Sequence, residues 1–208
     1  MIDHTVLLTF FTASVILALS PGPDNLFVLA QSAQNGRRAG LYVTLGLATG
    51  LAGHTVAAAL GLAAVVQASA PAFTILKFIG AAYLLYLAWK AFRAGASSGS
   101  EKDVQILSGG SLYRRGIVMN LTNPKVSLFF LAFLPQFADP SRGPVMPQFI
   151  LLGMVFITAT LLVFGSVSVL AGGFGEKFRQ SSGVQKTVNR IAAAIFIGLA
   201  LKLAISER

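Results

Sequence analysis

A chain of 208 residues that is 55% hydrophobic and only 11% charged has too few polar side chains to cover a water-soluble globule, since soluble domains carry about 25% charged residues. The mean hydropathy of +0.74 favours lipid as the solvent, and the absence of cysteine excludes disulfides, thiol redox chemistry and cysteine-ligated metals. The net charge of +9 lies mostly in short gaps between apolar runs. Basic residues in such gaps orient membrane proteins, so the charge does not indicate a nucleic-acid partner.

Six apolar segments follow one another along the chain, each close to the roughly 20 residues that span a bilayer. They cover residues 5–34, 41–67, 72–92, 115–137, 147–171 and 187–205. We therefore predict an all-α integral membrane protein with six transmembrane helices in a single transmembrane domain, residues 1–208.

One hydrophilic stretch interrupts this domain near its middle. Residues 94–111 are rich in Gly and Ser, as flexible linkers are, and they separate a first half of about residues 1–93 from a second half of about 112–208. Three spans in each half is an odd number, so the two halves have opposite orientations in the membrane. Inverted repeats of this kind are common in secondary transporters.

The basic residues are distributed unequally between the two predicted faces. The loops after spans one, three and five carry Arg37, Arg38, Lys90, Arg93, Lys102, Arg114, Arg115, Lys177, Arg179, Lys186 and Arg190. The opposite face carries Lys77, Arg142, Lys202 and Arg208. Because cytoplasmic loops are enriched in Lys and Arg, we predict that residues 94–111 lie in the cytoplasm and that both termini lie outside it.

Proline motifs interrupt the first and the fourth predicted spans. In span one, Pro21, Gly22 and Pro23 cannot continue a helical hydrogen-bond ladder. In span four, Asn123 suits a helix N-cap and Pro124 suits the first helical position. We predict that helices 1 and 4 are each broken at these motifs, so that a half-helix N-terminus with free N–H groups points into the protein.

Each motif also places a charged residue deep in the predicted membrane. Asp24 is 13 residues before Arg37 (37 − 24), and Lys125 is 10 residues after Arg115 (125 − 115). At about 1.5 Å per helical residue, both lie roughly 15–20 Å from the cytoplasmic boundary, near the midplane of a hydrocarbon core about 30 Å thick. The two charges are therefore predicted to lie at one depth, where they could meet.

Two interpretations of these charges remain open. Asp24 and Lys125 could form a structural salt bridge, and proline kinks also occur in helices without a transport role. A charge at the bilayer centre costs at least about 2.5–3.5 kcal/mol, however, and ionisable residues at that depth usually belong to functional sites. The cost favours a site over a purely structural pair.

The motifs resemble those of a known family. SPGPDNLFVL, followed by the turn NGRRAG, is similar to the first-span signature of the LysE/RhtB translocators, which export amino acids from bacteria. The similarity continues through the Gly-rich second span, FIGAAYLLYLAWKAFR and GIVMNLTNPKVSLFFLAFLPQF, and it covers essentially the whole chain. Asp24, Asn25 and the segment 36–40 resemble the homoserine/threonine-efflux (RhtB) branch more than the lysine exporters.

The resemblance implies a function and a location. It implies proton-driven efflux of a small amino acid, such as threonine, homoserine or leucine, or of a related metabolite, from the cytoplasm across the bacterial inner membrane. The implied partners are the amino acid, protons and the lipid bilayer, with no cofactor. The implied protein is a transporter rather than an enzyme.

A zwitterionic amino acid suits the residues at the two breaks. Asp24 is expected to bind the ammonium group, and Lys125 with the half-helix N-terminus at Pro124 the carboxylate. Asn25, Asn120 and Asn123 would add neutral hydrogen bonds. Asp24 is also the best candidate for the coupling proton, because substrate and proton would then compete for one carboxylate.

Span two contains one histidine and several glycines whose roles stay open. His54 lies near the middle of this span, where a histidine could relay protons or hydrogen-bond a packed helix. Gly46 and Gly50 have the spacing that lets helices approach closely, either within one bundle or between the protomers of a homodimer.

Two other classes of function are weaker alternatives. An exporter of inorganic cations would need several carboxylates or histidines in the membrane, and only Asp24 and His54 are available; no metal site is predicted. A membrane-embedded enzyme would need a catalytic motif, and neither an HExxH sequence nor an ATP-binding loop occurs.

Overall fold

The computed structural model describes residues 2–20, 22–62, 70–93, 107–180 and 182–205, which are helical apart from short turns. Pro21, Lys102 and most of the predicted linker lie outside the described residues. The helices are α1 (His4–Leu19), α2 (Pro23–Asn35), α3 (Arg37–Ala57), α4 (Ala70–Arg93), α5 (Gly109–Leu121), α6 (Pro124–Leu128), α7 (Val145–Gln180) and α8 (Ser182–Ile205). A π-helical turn, Ala58–Leu62, continues α3. A π-helical turn, Phe129–Phe133, and a 3-10 turn, Leu134–Phe137, continue α6. A further 3-10 turn, Pro140–Arg142, precedes α7.

Hydropathy and length identify membrane spans among the described residues. Two continuous helical segments qualify, Arg37–Gly61 and Val145–Ala171. Two bent pairs qualify if each pair is one span: α1 with α2, which meet at 63°, and Gly109–Leu121 with Pro124–Phe137, which meet at 48°. The chain is therefore a helical membrane protein with two to four such spans in its described part, and the number is four if each pair bent at a proline motif is one span.

One predicted boundary was wrong, and another is confirmed. Helix α5 begins at Gly109 rather than at Arg115, because Ser108 accepts a hydrogen bond from the Ser111 amide and so caps a helix inside the segment that was assigned to the linker. The predicted end of the fifth span is confirmed, since the apolar span ends at Ala171, and helix α7 itself continues to Gln180. Hydropathy marks where a chain leaves lipid, whereas Glu, Lys, Arg and Gln continue a helix readily in water.

Glycines bring α3 and α5 into close contact. A Cβ atom added to Gly46 would lie 2.1 Å from the Tyr113 carbonyl oxygen, and one added to Gly116 would lie 2.5 Å from that of Val43. Gly50 packs against Asn120: a Cβ atom added to Gly50 would lie 2.7 Å from the Cβ atom of Asn120. The predicted close approach at Gly46 and Gly50 is therefore made within one protomer.

We expect Gly46→Ala to lower the unfolding temperature in detergent and the yield of folded protein, because the added methyl group meets backbone that cannot move alone. Overpacking of this kind typically costs about 1–3 kcal/mol. The matched control is Gly165→Ala on α7, where nothing lies within 4 Å of the added carbon. Equal unfolding temperatures for the two variants would show that the α3–α5 contact is not tight.

Helices α3 and α7 run antiparallel, with matching contacts near their two ends. Gly40 lies against Ser168 at one end, and Gly153 lies against Thr55 at the other. Thr44 Oγ1 and Ser168 Oγ are 3.3 Å apart and add a hydrogen bond between the helices. The same offset of 113 residues relates Gly40 to Gly153 (153 − 40) and Thr55 to Ser168 (168 − 55), so each helix presents a glycine to a hydroxyl side chain of the other.

The largest apolar cluster contains many aromatic rings. Phe10 of α1 lies 5.8 Å from Phe129, 6.4 Å from Phe133 and 5.1 Å from Phe137, measured between ring centroids. Phe156 of α7 adds a ring 5.0 Å from Phe129. These rings hold α1 against the segment that follows α6. Helix α4 packs along α8 and also contacts the π-helical turn Phe129–Phe133.

The start of α1 and the turn before α7 are linked by charge. Arg142 lies 3.3 Å from the carboxylate of Asp139 and 3.9 Å from that of Asp3. The pKa of Asp139 is held below its usual range, mainly by hydrogen bonds from Ser141 and further by Arg142. Asp3 caps α1, and hydrogen bonds from Thr5 likewise lower the pKa of Asp3.

Candidate binding site at the two helix breaks

The first break separates α1 from α2. Helix α1 ends at Leu19, and α2 begins at Pro23 with Gly22 as its extended N-cap residue. Asp24 therefore lies in the first turn of α2, where the N-terminal N–H groups and helix dipole favour negative charge. The Asp24 side chain is buried, with 3% of its surface exposed.

The second break follows the local pattern that the sequence predicts. Asn123 is the N-cap residue of α6, and its Oδ1 accepts a hydrogen bond of 3.0 Å from the Lys125 amide. Pro124 occupies the first turn, where its missing N–H costs no hydrogen bond. Asn123 and Lys125 are both buried.

Contacts cross between the two breaks in both directions. Asn123 Nδ2 donates a hydrogen bond of 2.9 Å to Asp24 Oδ2, and the Asn120 side chain also interacts with this carboxylate. In the other direction, Lys125 Nζ donates to the carbonyl oxygens of Leu17, at 3.1 Å, and Ser20, at 3.0 Å. The acid thus contacts the second break, and the base contacts the first.

Lys125 stabilises the C-terminal end of α1. The last carbonyl groups of a helix have no partner within the helix and carry partial negative charge, so a buried ammonium group is a favourable partner for them. Asn25 assists, because its Nδ2 donates a hydrogen bond of 2.7 Å to the Ala18 carbonyl. Gly22 leaves room for the ammonium group: a Cβ atom there would lie 3.1 Å from Lys125 Nζ.

Asp24 and Lys125 do not form the direct salt bridge that the sequence left open. Their charged atoms interact over a distance longer than an ion pair, since the backbone carbonyls hold the ammonium group and Asn123 lies against the carboxylate. The two charges still attract each other across this distance.

Three buried oxygen atoms at the breaks lack a hydrogen-bond donor. They are Asp24 Oδ1, Asn25 Oδ1 and Asn120 Oδ1. A buried acceptor without a donor costs about 1–3 kcal/mol, so three of them in one region are expensive to maintain. Each of the three oxygens can accept a hydrogen bond from a donor outside the chain.

His54 lies beside the second break. Its Nε2 is 3.3 Å from the Asn120 carbonyl oxygen, and its ring stacks on Phe130 with centroids 5.4 Å apart. Asn120 also packs on Gly50, one turn before His54 on the same helix. Both contacts join α3 to the broken helix, as expected for a histidine that packs between helices.

We expect His54→Gln to lower the free energy of unfolding by no more than about 1.5 kcal/mol, because a neutral hydrogen bond contributes about 0.5–1.5 kcal/mol. The measurement is the unfolding temperature in detergent, compared with that of the native protein. A failure of the variant to fold would contradict a role limited to one interhelical hydrogen bond.

Some contacts at the breaks have no clear signal in the sequence. The partners of Lys125 are backbone carbonyls of Leu17 and Ser20, which any residue type would supply. The packing of Gly50 on Asn120 depends on how two spans are paired. Phe130, which stacks on His54, looks like one more apolar residue of its span.

Broken helices with polar and charged groups where the breaks meet are typical of secondary transporters. Comparison with known proteins agrees with that class. The model of the LysE type translocators matches residues 15–207. The chain belongs to this family of membrane transporters, and the resemblance found in its motifs is confirmed.

Several curated relatives align over most of the chain. A membrane protein of Vibrio cholerae described as uncharacterized is 34% identical over 205 residues, 99% of both chains. The homoserine/homoserine lactone efflux protein of Salmonella typhimurium is 36% identical over 162 residues, 78% of each chain. A membrane protein of Bacillus subtilis, also described as uncharacterized, is 31% identical over 210 residues, 96% of this chain. No solved structure matches the chain.

Proposed function

We propose that this protein exports small amino acids, of the homoserine, threonine or leucine type, from the bacterial cytoplasm in exchange for protons. The observation that carries the proposal is the pair of crossed contacts at the two helix breaks, together with the three buried acceptor oxygens that lack donors. The efflux function of the Salmonella typhimurium relative is consistent with it.

The proposed transmembrane arrangement has six spans in two inverted halves. Helices α4 and α8 have 24 residues each, or about 36 Å at 1.5 Å per residue, which is enough to cross a bilayer. The paired contacts between α3 and α7, and the matching Pro23-Asp24 and Pro124-Lys125 motifs, support an inverted repeat. The basic residues support a cytoplasmic linker and outward termini in the inner membrane.

The site is proposed to bind the two charged groups of an amino acid. An ammonium group has three N–H donors, which suits the unpaired oxygens of Asp24, Asn25 and Asn120. The carboxylate would lie near the Lys125 ammonium and the N-terminus of α6, two features that favour an anion. Asn123, which contacts both Asp24 and the Lys125 amide, would hold the two subsites at a fixed separation.

Proton coupling is proposed to act through competition at Asp24. An ionised Asp24 binds the substrate ammonium group, whereas a protonated Asp24 has lost the charge that attracts it. A proton that enters from the outer side would displace the amino acid there, and release of that proton to the cytoplasm would restore the site. The same carboxylate then serves both ligands in turn, as an antiporter requires.

The test is uptake of radiolabelled amino acids into inverted membrane vesicles with an acidic interior, where export from the cell is measured as uptake. Vesicles with the native protein should accumulate one or a few small neutral amino acids above vesicles that lack it. Addition of an uncoupler should abolish the accumulation. If no amino acid accumulates above the empty vesicles, the proposed substrate class is wrong.

A further inference from the structure

A small cavity lies beside Lys125, between helix α4 and the segment that begins at Lys125. Helix α4 forms one wall with Gly80, Tyr83, Leu84 and Leu87, and the segment from Lys125 to Phe133 forms the other. Its volume of about 10 Å³ holds about one water molecule. The cavity is thus a small gap beside Lys125, and the residues of α4 that line it carry no charge.

The position of the cavity relates it to the proposed substrate. Lys125 belongs to both regions: its ammonium group lies at the first break, and it also lines the cavity. In an amino acid, the carboxylate and the side chain are both bonded to the α-carbon. A substrate whose carboxylate lies near Lys125 therefore has its side chain within a few ångströms of that residue as well. Except for Lys125 and Tyr83, the side chains that line the gap are apolar, which suits a substrate side chain rather than its charged groups.

We propose that this cavity widens to receive the side chain of the exported amino acid and that Gly80, Tyr83 and Leu84 determine which side chains fit. This inference rests on the proposed function. Gly80 has no side chain, Leu84 is buried, and both line the cavity. Tyr83 is half-buried and is the one residue with a hydroxyl group among those that line it, so the site takes short side chains that are apolar or carry a hydroxyl group.

The first test is the selectivity of Leu84→Ala in the vesicle assay, measured as the ratio of kcat/KM for leucine to that for alanine. The variant should raise this ratio about tenfold, because a single methylene group in an apolar pocket changes selectivity about 10–200-fold. Leu85→Ala is the control: Leu85 is the next residue of α4 but is 48% exposed, against 3% for Leu84. The ratio does not depend on how much folded protein each variant yields.

The second test, Tyr83→Phe, changes no packing and so keeps the inference testable if Leu84→Ala fails to fold. It should lower the ratio for homoserine against 2-aminobutyrate about tenfold, while Tyr86→Phe, one turn away and 47% exposed, leaves it unchanged. Ratios within twofold of the native values in both Leu84→Ala and Tyr83→Phe would overturn the inference with transport intact. A native protein that transports no amino acid would overturn the proposed function and this inference with it.

Discussion

Asp24→Asn is expected to reduce pH-gradient-driven amino-acid uptake into inverted vesicles by at least about 100-fold. The asparagine side chain has the same shape, and its Oδ1 can still accept the hydrogen bond from Asn123, which is 2.9 Å long in the native protein. The fold should therefore persist while the negative charge is lost. The pair that is lost consists of the Asp24 carboxylate and the ammonium group of the substrate. Removal of one partner from a buried charged pair costs about 3–5 kcal/mol. Because each 1.4 kcal/mol is a tenfold change in affinity, this cost corresponds to a loss of at least about 100-fold.

Two comparisons make this variant decisive. Asp3→Asn removes an acidic residue whose side chain is 49% exposed, and it should leave uptake unchanged. The unfolding temperature of Asp24→Asn in detergent should stay near that of the native protein, since the Asn123 contact is kept. If Asp24→Asn accumulated amino acids as well as the native protein does, Asp24 would be neither the ammonium partner nor the coupling group.

Lys125→Met has a second large expected effect, on stability as well as on transport. The methionine side chain has a similar length but no donor, so the carbonyl groups of Leu17 and Ser20 lose their Lys125 hydrogen bonds. Each buried group left unpaired costs about 1–3 kcal/mol. We expect a clearly lower unfolding temperature and no measurable uptake at matched amounts of folded protein.

Lys125→Gln separates the two roles of this side chain. The glutamine amide can still donate to a carbonyl group, so part of the lost stability should return, but without a positive charge uptake should stay abolished. Lys90→Met is the control on α4, because Lys90 is exposed and lies over the Tyr86 ring. Native stability in Lys125→Met would contradict the role of Lys125 at the end of α1.

The local features of the breaks were predictable from sequence because they depend on short-range backbone chemistry. Asn123 before Pro124 is a strong helix start, and the structure has both residues in those positions. Gly22 before Pro23 serves the same purpose in the first break. The meeting of the two breaks was predictable from their depth. Both were predicted to lie at a similar distance from one membrane face, which places them in the same layer of the protein.

The partners of the charged side chains were harder to predict. Opposite charges at one depth suggest a salt bridge, but the free carbonyl groups at the end of α1 also attract an ammonium group, and they carry no mark in the sequence. Lys125 binds these carbonyls, and Asn123 rather than Lys125 donates to Asp24. Gly116 contributes to the α3–α5 contact, yet nothing in its own span indicates which helix it faces.

The most direct test of coupled amino-acid export is a measurement of proton movement caused by the substrate. Inverted vesicles are acidified inside, and a pH-sensitive dye reports the gradient while homoserine, threonine or leucine is added outside. With the native protein, at least one of these amino acids should release part of the gradient, and with Asp24→Asn none should. A gradient that no amino acid affects, or that falls equally with the Asp24→Asn protein, would contradict proton antiport at this site.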